Sequence, residues 1–335
     1  MGCGNSKSVQ EKRSNAGSVL CEMPKKKSTN RNSDNMTVTT LEHDLLSPLR
    51  RNITIQKVKY NPKITEKYDV KSLIGKGAYS YVVRVQHRMT RQYCAMKIIK
   101  NKKGFELLER ELCILTRVKH PNIIQLNEIL ESNGSIAMVM ELATGGDLFD
   151  RIVSRGNFTE KDAIRVLYMV LDGIQYLHSL GITHRDLKPD NLLYQRPGND
   201  SKILITDFGL ASTRKSGDTF MSTACGTPEY IAPEIILRKP YTNLVDMWAI
   251  GVIAFIMLSG KFPFEDDSHA RLYTRILRAK YSYRGQSWSE VSNSARDFIN
   301  RLLTVEPTLR MTATEALMHS WLNPHTDDKV SSGSS

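Results

Sequence analysis

HRDLKPDN, from His184 to Asn191, places an Asp, a Lys and an Asn (Asp186, Lys188 and Asn191) on one short stretch, and TDFG, from Thr206 to Gly209, adds a second carboxylate at Asp207. That set suits phosphoryl transfer. The Asp186 carboxylate takes the proton of an attacking hydroxyl, and the Lys188 ammonium offsets charge on the moving phosphoryl group. Asn191 and Asp207 supply hard oxygens for magnesium. A polar loop that merely makes turns has similar residues. Both fragments in this order and at this spacing favour the chemistry.

A second constellation precedes it. IGKGAYSYV comprises Ile74, Gly75, Lys76, Gly77, Ala78, Tyr79, Ser80, Tyr81 and Val82. Its glycines let backbone N–H groups approach phosphates without side-chain interference, although glycine also simply makes turns. The phosphate reading gains weight from YCAMKII, which sets Ala95 and Lys97 on the next strand. Lys97 has apolar neighbours, and a buried ammonium needs a partner or loses its charge. Glu111 on the following helical segment is the candidate, with Glu106 and Glu109 as rivals. The plainer alternative is a surface Lys on an edge strand.

Elements to position these groups are legible around them. YDVKSLIGKG, SYVVRVQHR and YCAMKII alternate apolar and polar residues as strands of a small antiparallel sheet. GFELLERELCILTRV has helical spacing, and IAMVMEL is a short buried strand that ends at the turn ATGG. From Asp147 onward, DLFDRIVSRG, DAIRVLYMVLDGIQYLHSLG and VDMWAIGVIAFIMLSG are helices closed by Gly. A strand-rich part thus precedes a larger helix-rich part, with the hinge between Glu141 and Gly146. This is an α+β chain of two lobes, ordered over 68–322. Residues 1–67 read as a polar disordered tail, and 323–335 as a frayed end.

Bulk properties exclude other classes. Apolar content of 40% and charged content of 24% over 335 residues are those of a globular protein. The longest apolar run, Met247–Leu258, has twelve residues, too few to span a bilayer. No signal-peptide pattern opens the chain. Five cysteines (Cys3, Cys21, Cys94, Cys113 and Cys225) lack CxxC spacing, which argues against a disulfide framework or zinc site and fits a reducing compartment. The net charge of +12 is concentrated in the tail, where thirteen Lys/Arg against six Asp/Glu give +7. No aromatic residue accompanies that charge before Tyr60, so nucleic-acid binding is not expected.

Over Tyr68–Leu322 these motifs together resemble the protein kinases. Lys188-Pro189 and GTPEYIAPE (Gly226–Glu234) are similar to the serine/threonine type. VMELATGGDLFDRI and STACGTPEYIAPEI resemble the calcium/calmodulin-dependent group. MGCG, KSLIGKGAYSYVVRVQHR, LYMVLDGIQYLHSLGITHRDLKP and RKPYTNLVDMWAIGV resemble its protein serine kinase H branch. The resemblance implies the two-lobed protein kinase fold, with a small β-rich N-lobe and a larger helical C-lobe, and transfer of the ATP γ-phosphate to Ser or Thr of proteins with Mg2+. It places ATP on the Ile74–Val82 loop with Ala95, Lys97, Glu111, Glu141 and Leu193, the LCILTRVKHPN register selecting Glu111. Ser80 departs from the family pattern, standing where a third loop Gly belongs, which bears on loop mobility more than on ATP binding.

Further roles follow from the same likeness. Asp147 and Asp190 are where related kinases meet an Arg three residues before the target, while Ile256 replaces a Glu associated with Arg at minus two. Glu234 and Arg310 form a structural bridge, and Asp246 and Trp248 are scaffold. Thr223 best fits an activating phosphorylation received by Arg185, with Thr219 and Ser222 as alternatives. One rival is a catalytically dead kinase-fold scaffold, although such chains usually lack Lys97, Asp186 or Asp207. A small-molecule kinase is disfavoured by GTPEYIAPE.

Gly2 and Ser6 meet the myristoylation pattern and Cys3 is a palmitoylation candidate. One acyl chain anchors weakly. Cys3 and the basic run Lys25–Lys27 with Arg31 add to it near an acidic leaflet. The expected place is the cytoplasmic face of Golgi, endoplasmic reticulum or plasma membrane, with a cytosolic fraction. LNPHTDDKVSSGSS is neither basic nor amphipathic, so direct calmodulin binding is not expected. A monomer is expected.

Overall fold

Alternating apolar side chains build the first sheet and give it two apolar faces. The computed structural model describes residues 62–76, 80–99, 102–132, 135–213, 220–223 and 225–323, all within the compact unit Val58–Ser335. The elements begin with α1 (Pro62–Lys67), β1 (Tyr68–Lys76), β2 (Ser80–His87), β3 (Tyr93–Ile99), α2 (Lys102–Leu115), β4 (Leu126–Ser132) and β5 (Ser135–Glu141). The strands form one antiparallel sheet in the order β1-β2-β3-β5-β4. Met96 and Ile98 share one apolar cluster with Val83, Val85, Ala137 and Val139. Ile99, Met138 and Met140 belong to the main core on the other face. A period of two therefore puts Ala95, Lys97 and Ile99 on the same side of β3. Register pairs Gly75 with Val82, Val82 with Lys97, and Lys97 with Met138, a single row across four strands.

The larger lobe follows: α3 (Leu148–Arg155), α4 (Glu160–Ser179), β6 (Ile182–Thr183), β7 (Leu192–Tyr194), β8 (Ile203–Ile205), β9 (Ser212–Thr213), α5 (Pro233–Ile236), α6 (Leu244–Ser259), α7 (His269–Leu277), α8 (Asn293–Leu302) and α9 (Ala313–Met318). Helix α6 is apolar all round and buried from Val245 to Ser259, as a central helix should be. Two short antiparallel pairs, β6 with β9 and β7 with β8, frame the loops that hold the candidate site. At the lobe junction Gly145 lies so close to β7 that a Cβ would sit 2.3 Å from the Arg196 carbonyl oxygen. Only glycine fits there.

Order starts earlier than expected. Residues 62–67, read above as the end of the disordered tail, form α1. Ile64 is buried with Tyr68 against the outer face of the sheet, and Lys67 and the Tyr68 hydroxyl both bond the Glu128 carboxylate on β4. One apolar residue in a polar stretch carried too little periodicity to announce a helix. Strand β4 itself was not singled out, because LNEILES mixes polar and apolar residues on an edge strand. Helix α2 runs for 14 residues.

Candidate active site

Position on β3 fixes where Lys97 points, and α2 answers with Glu111. The ammonium donates to Glu111 Oε1 at 2.8 Å and Oε2 at 2.6 Å, and Asp207 Oδ1 lies 3.7 Å away. Burial works against the ammonium, but the Glu111 and Asp207 carboxylates outweigh it and hold Lys97 above the usual lysine range. Of the three glutamates considered, Glu111 is the partner. Glu109 is exposed, and the side chain of Glu106 lies outside the described residues.

Asp186 sits at the centre of the second group. Its Oδ1 accepts from the Thr227 hydroxyl at 2.9 Å, while Oδ2 lies 3.1 Å from the Lys188 ammonium and accepts from Asn191 Nδ2 at 3.2 Å. Lys188 also donates to Thr227 Oγ1 at 3.1 Å. Asn191 Nδ2 donates to the Asp186 carbonyl at 2.8 Å, which commits the amide nitrogen and leaves its oxygen as a ligand. Thr227 was not among the expected site residues. It ties the catalytic loop to the GTPEYIAPE segment, and its place in that motif was the available signal.

Two residues here hold left-handed backbone, Arg185 at φ 69° and Asp207 at φ 63°. Such conformations are uncommon outside glycine and persist where surroundings dictate them. For Arg185 the cause is visible. The buried Asp246 carboxylate on α6 accepts the His184 and Arg185 N–H groups at 2.9 Å each and meets His178 Nε2 at 2.9 Å. Burial works against ionisation, yet these partners hold the Asp246 carboxyl below the usual range. His184 bonds the Thr206 carbonyl and packs edge-on against the buried Phe208, fixing the loop that carries Asp207.

The remaining expected residues are distributed over both lobes. Val82 and Ala95 line one side of the sheet row described above, and Leu193 lies half-buried on β7, bridged to Asp147. Glu141 spends its carboxylate on the junction, accepting from Gln125 N–H at 2.9 Å and Gln195 Nε2 at 3.2 Å. Its N–H is committed as well, donating to the Gln125 carbonyl at 3.0 Å. Leu142 and Ala143, next along the chain, make no backbone hydrogen bond among the described residues, so their N–H and C=O groups suit the edge of a flat heterocycle. Ile74 and Lys76 end β1, with Ile74 half-exposed; Ser80 and Tyr81 open β2. Gly77, Ala78 and Tyr79 lie outside the described residues, as do Gly2, Cys3 and Thr219. The oxygen donors of Asn191 and Asp207 fit magnesium, a hard cation that takes few protein ligands and completes its shell with phosphate and water.

Asp147 caps α3, accepting from the Asp150 N–H at 2.7 Å. Partial burial and the charges of Asp150 and Asp190 raise its pKa despite that bond. Ile256 is buried in α6 and presents no charge. Glu234 and Arg310 meet at 2.7 and 3.0 Å inside the large lobe.

Arg185, the expected phosphate receiver, already has partners. Its Nε donates to the Leu210 carbonyl at 2.6 Å and a terminal N–H to the Tyr241 hydroxyl at 3.0 Å; Tyr241 in turn donates to the Thr223 carbonyl at 2.7 Å. Met221 and Tyr241 exchange both backbone hydrogen bonds. Residues 220–223 are thus held by neutral groups. Tyr241→Phe is expected to lower the kcat of dephosphorylated protein about tenfold, as loss of a bond to a charged group implies. Thr223→Ala should change it by less. If, in protein that has not been dephosphorylated, Thr223→Ala loses more than Tyr241→Phe, phosphate rather than Tyr241 orders the segment.

Comparison with known proteins agrees with this geometry. Residues 68–322 match the family described as protein kinase domain. The chain is similar to serine/threonine-protein kinase H1 of Homo sapiens, 63% identical over 278 residues, covering 82% of this chain and 66% of that protein. Serine/threonine-protein kinase H2 of Homo sapiens is 55% identical over 269 residues, covering 79% and 70%. Calcium/calmodulin-dependent protein kinase type 1B of Homo sapiens is 46% identical over 271 residues, covering 80% and 78%. The chain thus spans just under two thirds of the length of the H1 relative.

Proposed function

Because the chain belongs to the protein kinase domain family, we propose that it transfers the γ-phosphate of ATP to Ser or Thr of protein substrates. The observation that carries this reading is the Lys97–Glu111 pair, closed at 2.6 Å and adjacent to Asp207. A dead scaffold has no need of it. Asn191 and Asp207 would hold magnesium, which would supply positive charge to offset that of the phosphates. Lys97 positions the phosphates, Asp186 receives the hydroxyl proton, and Lys188 stabilises charge on the transferred group. Thr227, bonded to both Asp186 and Lys188, keeps them aligned. Incubation with Mg·ATP and paired Ser/Thr and Tyr peptides tests the reading. Absence of transfer to the Ser/Thr peptide would remove it and favour the scaffold.

Substrate choice is proposed to favour Arg at minus three, met by Asp147 and Asp190 through charge-assisted bonds, without strong preference at minus two, where Ile256 offers none. Peptides with and without that Arg should differ in kcat/KM about tenfold or more near neutral pH. A carboxyl with raised pKa takes up its proton at higher pH than an ordinary aspartate. The Asp147 carboxylate therefore loses its charge earlier on acidification than an ordinary aspartate would, and the ratio should shrink as pH falls. A pH-independent ratio would point away from Asp147.

Thr223, whose side chain is exposed, is proposed as a phosphate acceptor that adds to the order Tyr241 imposes. Dual acylation at Gly2 and Cys3 is proposed to tether the chain to cytoplasmic membrane faces, supported by the acyl pattern and the basic run. Among the described residues no helix is long and apolar enough to cross a membrane. Fractionation should find wild type on membranes, Gly2→Ala in the cytosol and Cys3→Ser divided. Gly2→Ala that stays fully membrane-bound would point to a protein anchor instead.

A further inference from the structure

Between Ser268 and Ser289 the chain carries five basic residues, Arg271, Arg275, Arg278, Lys280 and Arg284, and no Asp or Glu. All five are exposed. Helix α7 sets the first three at i, i+4 and i+7, a stripe along one face, while Leu272 and Ile276 turn the other way into the core. Asp266, just ahead of the helix, organises the stripe. Its Oδ1 accepts from Arg271 Nε at 2.7 Å, and Oδ2 lies 3.5 Å from Arg275 Nε. That carboxylate is largely covered, whereas the Arg271 and Arg275 side chains stay 68% and 50% exposed. Both are held by Nε, and their terminal N–H groups make no hydrogen bond among the described residues. Arg278, Lys280 and Arg284 enter no ion pair among those residues.

The stripe flanks the segment that closes over the reacting group. Helix α7 packs against α5, where GTPEYIAPE ends, and Thr227 of that motif bonds both Asp186 and Lys188. Exposed Arg238 and Lys239 follow α5 and carry the same sign. The carboxylates assigned to the Arg at minus three, Asp147 and Asp190, carry the opposite sign, with Asp150 beside Asp147 on the first turn of α3. A substrate thus meets an acidic place and a basic one. That suits a partner with Arg beside the target and carboxylates elsewhere in its chain. Guanidinium forks match carboxylates through two parallel bonds. A bilayer fits less well. A helix that lies on lipid turns an apolar face outward, and no large apolar residue between Ser268 and Ser289 is exposed.

We infer that the α7 face docks an acidic segment of protein substrates, outside the stretch that is phosphorylated. Arg271, Arg275 and Arg278 bind its carboxylates while the target hydroxyl lies at Asp186. The contact is the same before and during transfer, so it lowers KM and leaves kcat unchanged. Being exposed, it weakens as salt is added. Uniformly basic proteins are repelled by it, which narrows the choice of substrate beyond the Arg at minus three. The inference rests on the proposed kinase activity.

Steady-state kinetics of the full-length protein with Mg·ATP test it. The substrates are a Ser peptide with Arg at minus three and the same peptide joined, at either end, through a flexible Gly/Ser linker to a run of glutamates. At low salt the better fusion should have a KM roughly tenfold below that of the plain peptide, as a few exposed ion pairs imply. Arg275→Gln combined with Arg278→Gln should cancel the gain while the plain peptide keeps its rate, which also shows that the variant is folded. Arg278→Glu, which breaks no ion pair, should do the same. Equal KM for the plain peptide and both fusions overturns the inference and leaves the kinase reading intact. No transfer to any peptide removes the kinase reading, and substrate docking with it. A gain that survives both variants places the docking elsewhere and overturns the assignment to α7. Phosphatidylserine vesicles that capture wild type but neither variant, with no gain from the glutamates, would assign the face to a membrane and overturn it too.

Discussion

Replacing Asp186 with Asn is expected to lower kcat by roughly 10²–10⁴-fold, the usual range for a positioned acid or base, with ATP affinity close to wild type. Shape is preserved. The amide oxygen can take the place of Oδ2, facing Lys188 and Asn191, and the amide nitrogen can face Thr227 Oγ1. What disappears is a group able to accept the substrate's proton. The ATP contact assigned to Lys97 and the magnesium position assigned to Asp207 lie on other elements and remain. Single-turnover phosphorylation of a Ser peptide, together with equilibrium nucleotide binding, separates the two effects. An Asp186→Asn protein that keeps wild-type turnover would show that the proton leaves by another route.

Arg310→Ala should produce the largest loss of stability. The guanidinium is fully buried and makes five hydrogen bonds, two to Glu234 and one each to the carbonyls of Thr304, Leu244 and Val305. Truncation strands a carboxylate in the core beneath GTPEYIAPE. Removing one partner of a buried pair costs about 3–5 kcal/mol, and for a domain of this size Tm falls on the order of 10 °C. Arg310→Lys keeps the charge but loses the planar fork, so a smaller loss is expected. Thermal unfolding of the nucleotide-free protein measures both. An unchanged Tm in Arg310→Ala would mean that Glu234 finds another partner or takes up a proton without penalty.

Much of the site was legible because its chemistry is carried by short runs of residues. HRDLKPDN and TDFG name the groups that surround Asp186 and Asp207, and the period of two along YCAMKII already turns Lys97 away from Met96 and Ile98. The pairing of Lys97 with Glu111 needed more, since Glu106 and Glu109 share its helix; the family register of LCILTRVKHPN singled out Glu111, and the packing of α2 on the sheet brings that carboxylate within 2.6 Å of the ammonium. The supports were harder to see. Asp246 and Tyr241 act on residues far away in the chain through backbone groups, which leave no trace in side-chain pattern. Helix α1 escaped notice for a different reason, as a single buried Ile64 does the work of a whole apolar stripe. Arg185 has partners that its motif does not announce. Its sequence neighbours suggest a phosphate, and the fold gives it a tyrosine hydroxyl and a carbonyl besides.

The Asp246 carboxylate has one more consequence, which concerns when the catalytic loop can open. Its two acceptor oxygens close the His184 and Arg185 amides onto the most deeply buried helix of the molecule. Those two amides cannot exchange with heavy water by local fluctuation of a surface loop; α6 must first give way. They therefore belong to the slow-exchanging core although they flank the reacting group. A substitution that loosens the core should quicken their exchange and erode turnover together, well before the protein unfolds.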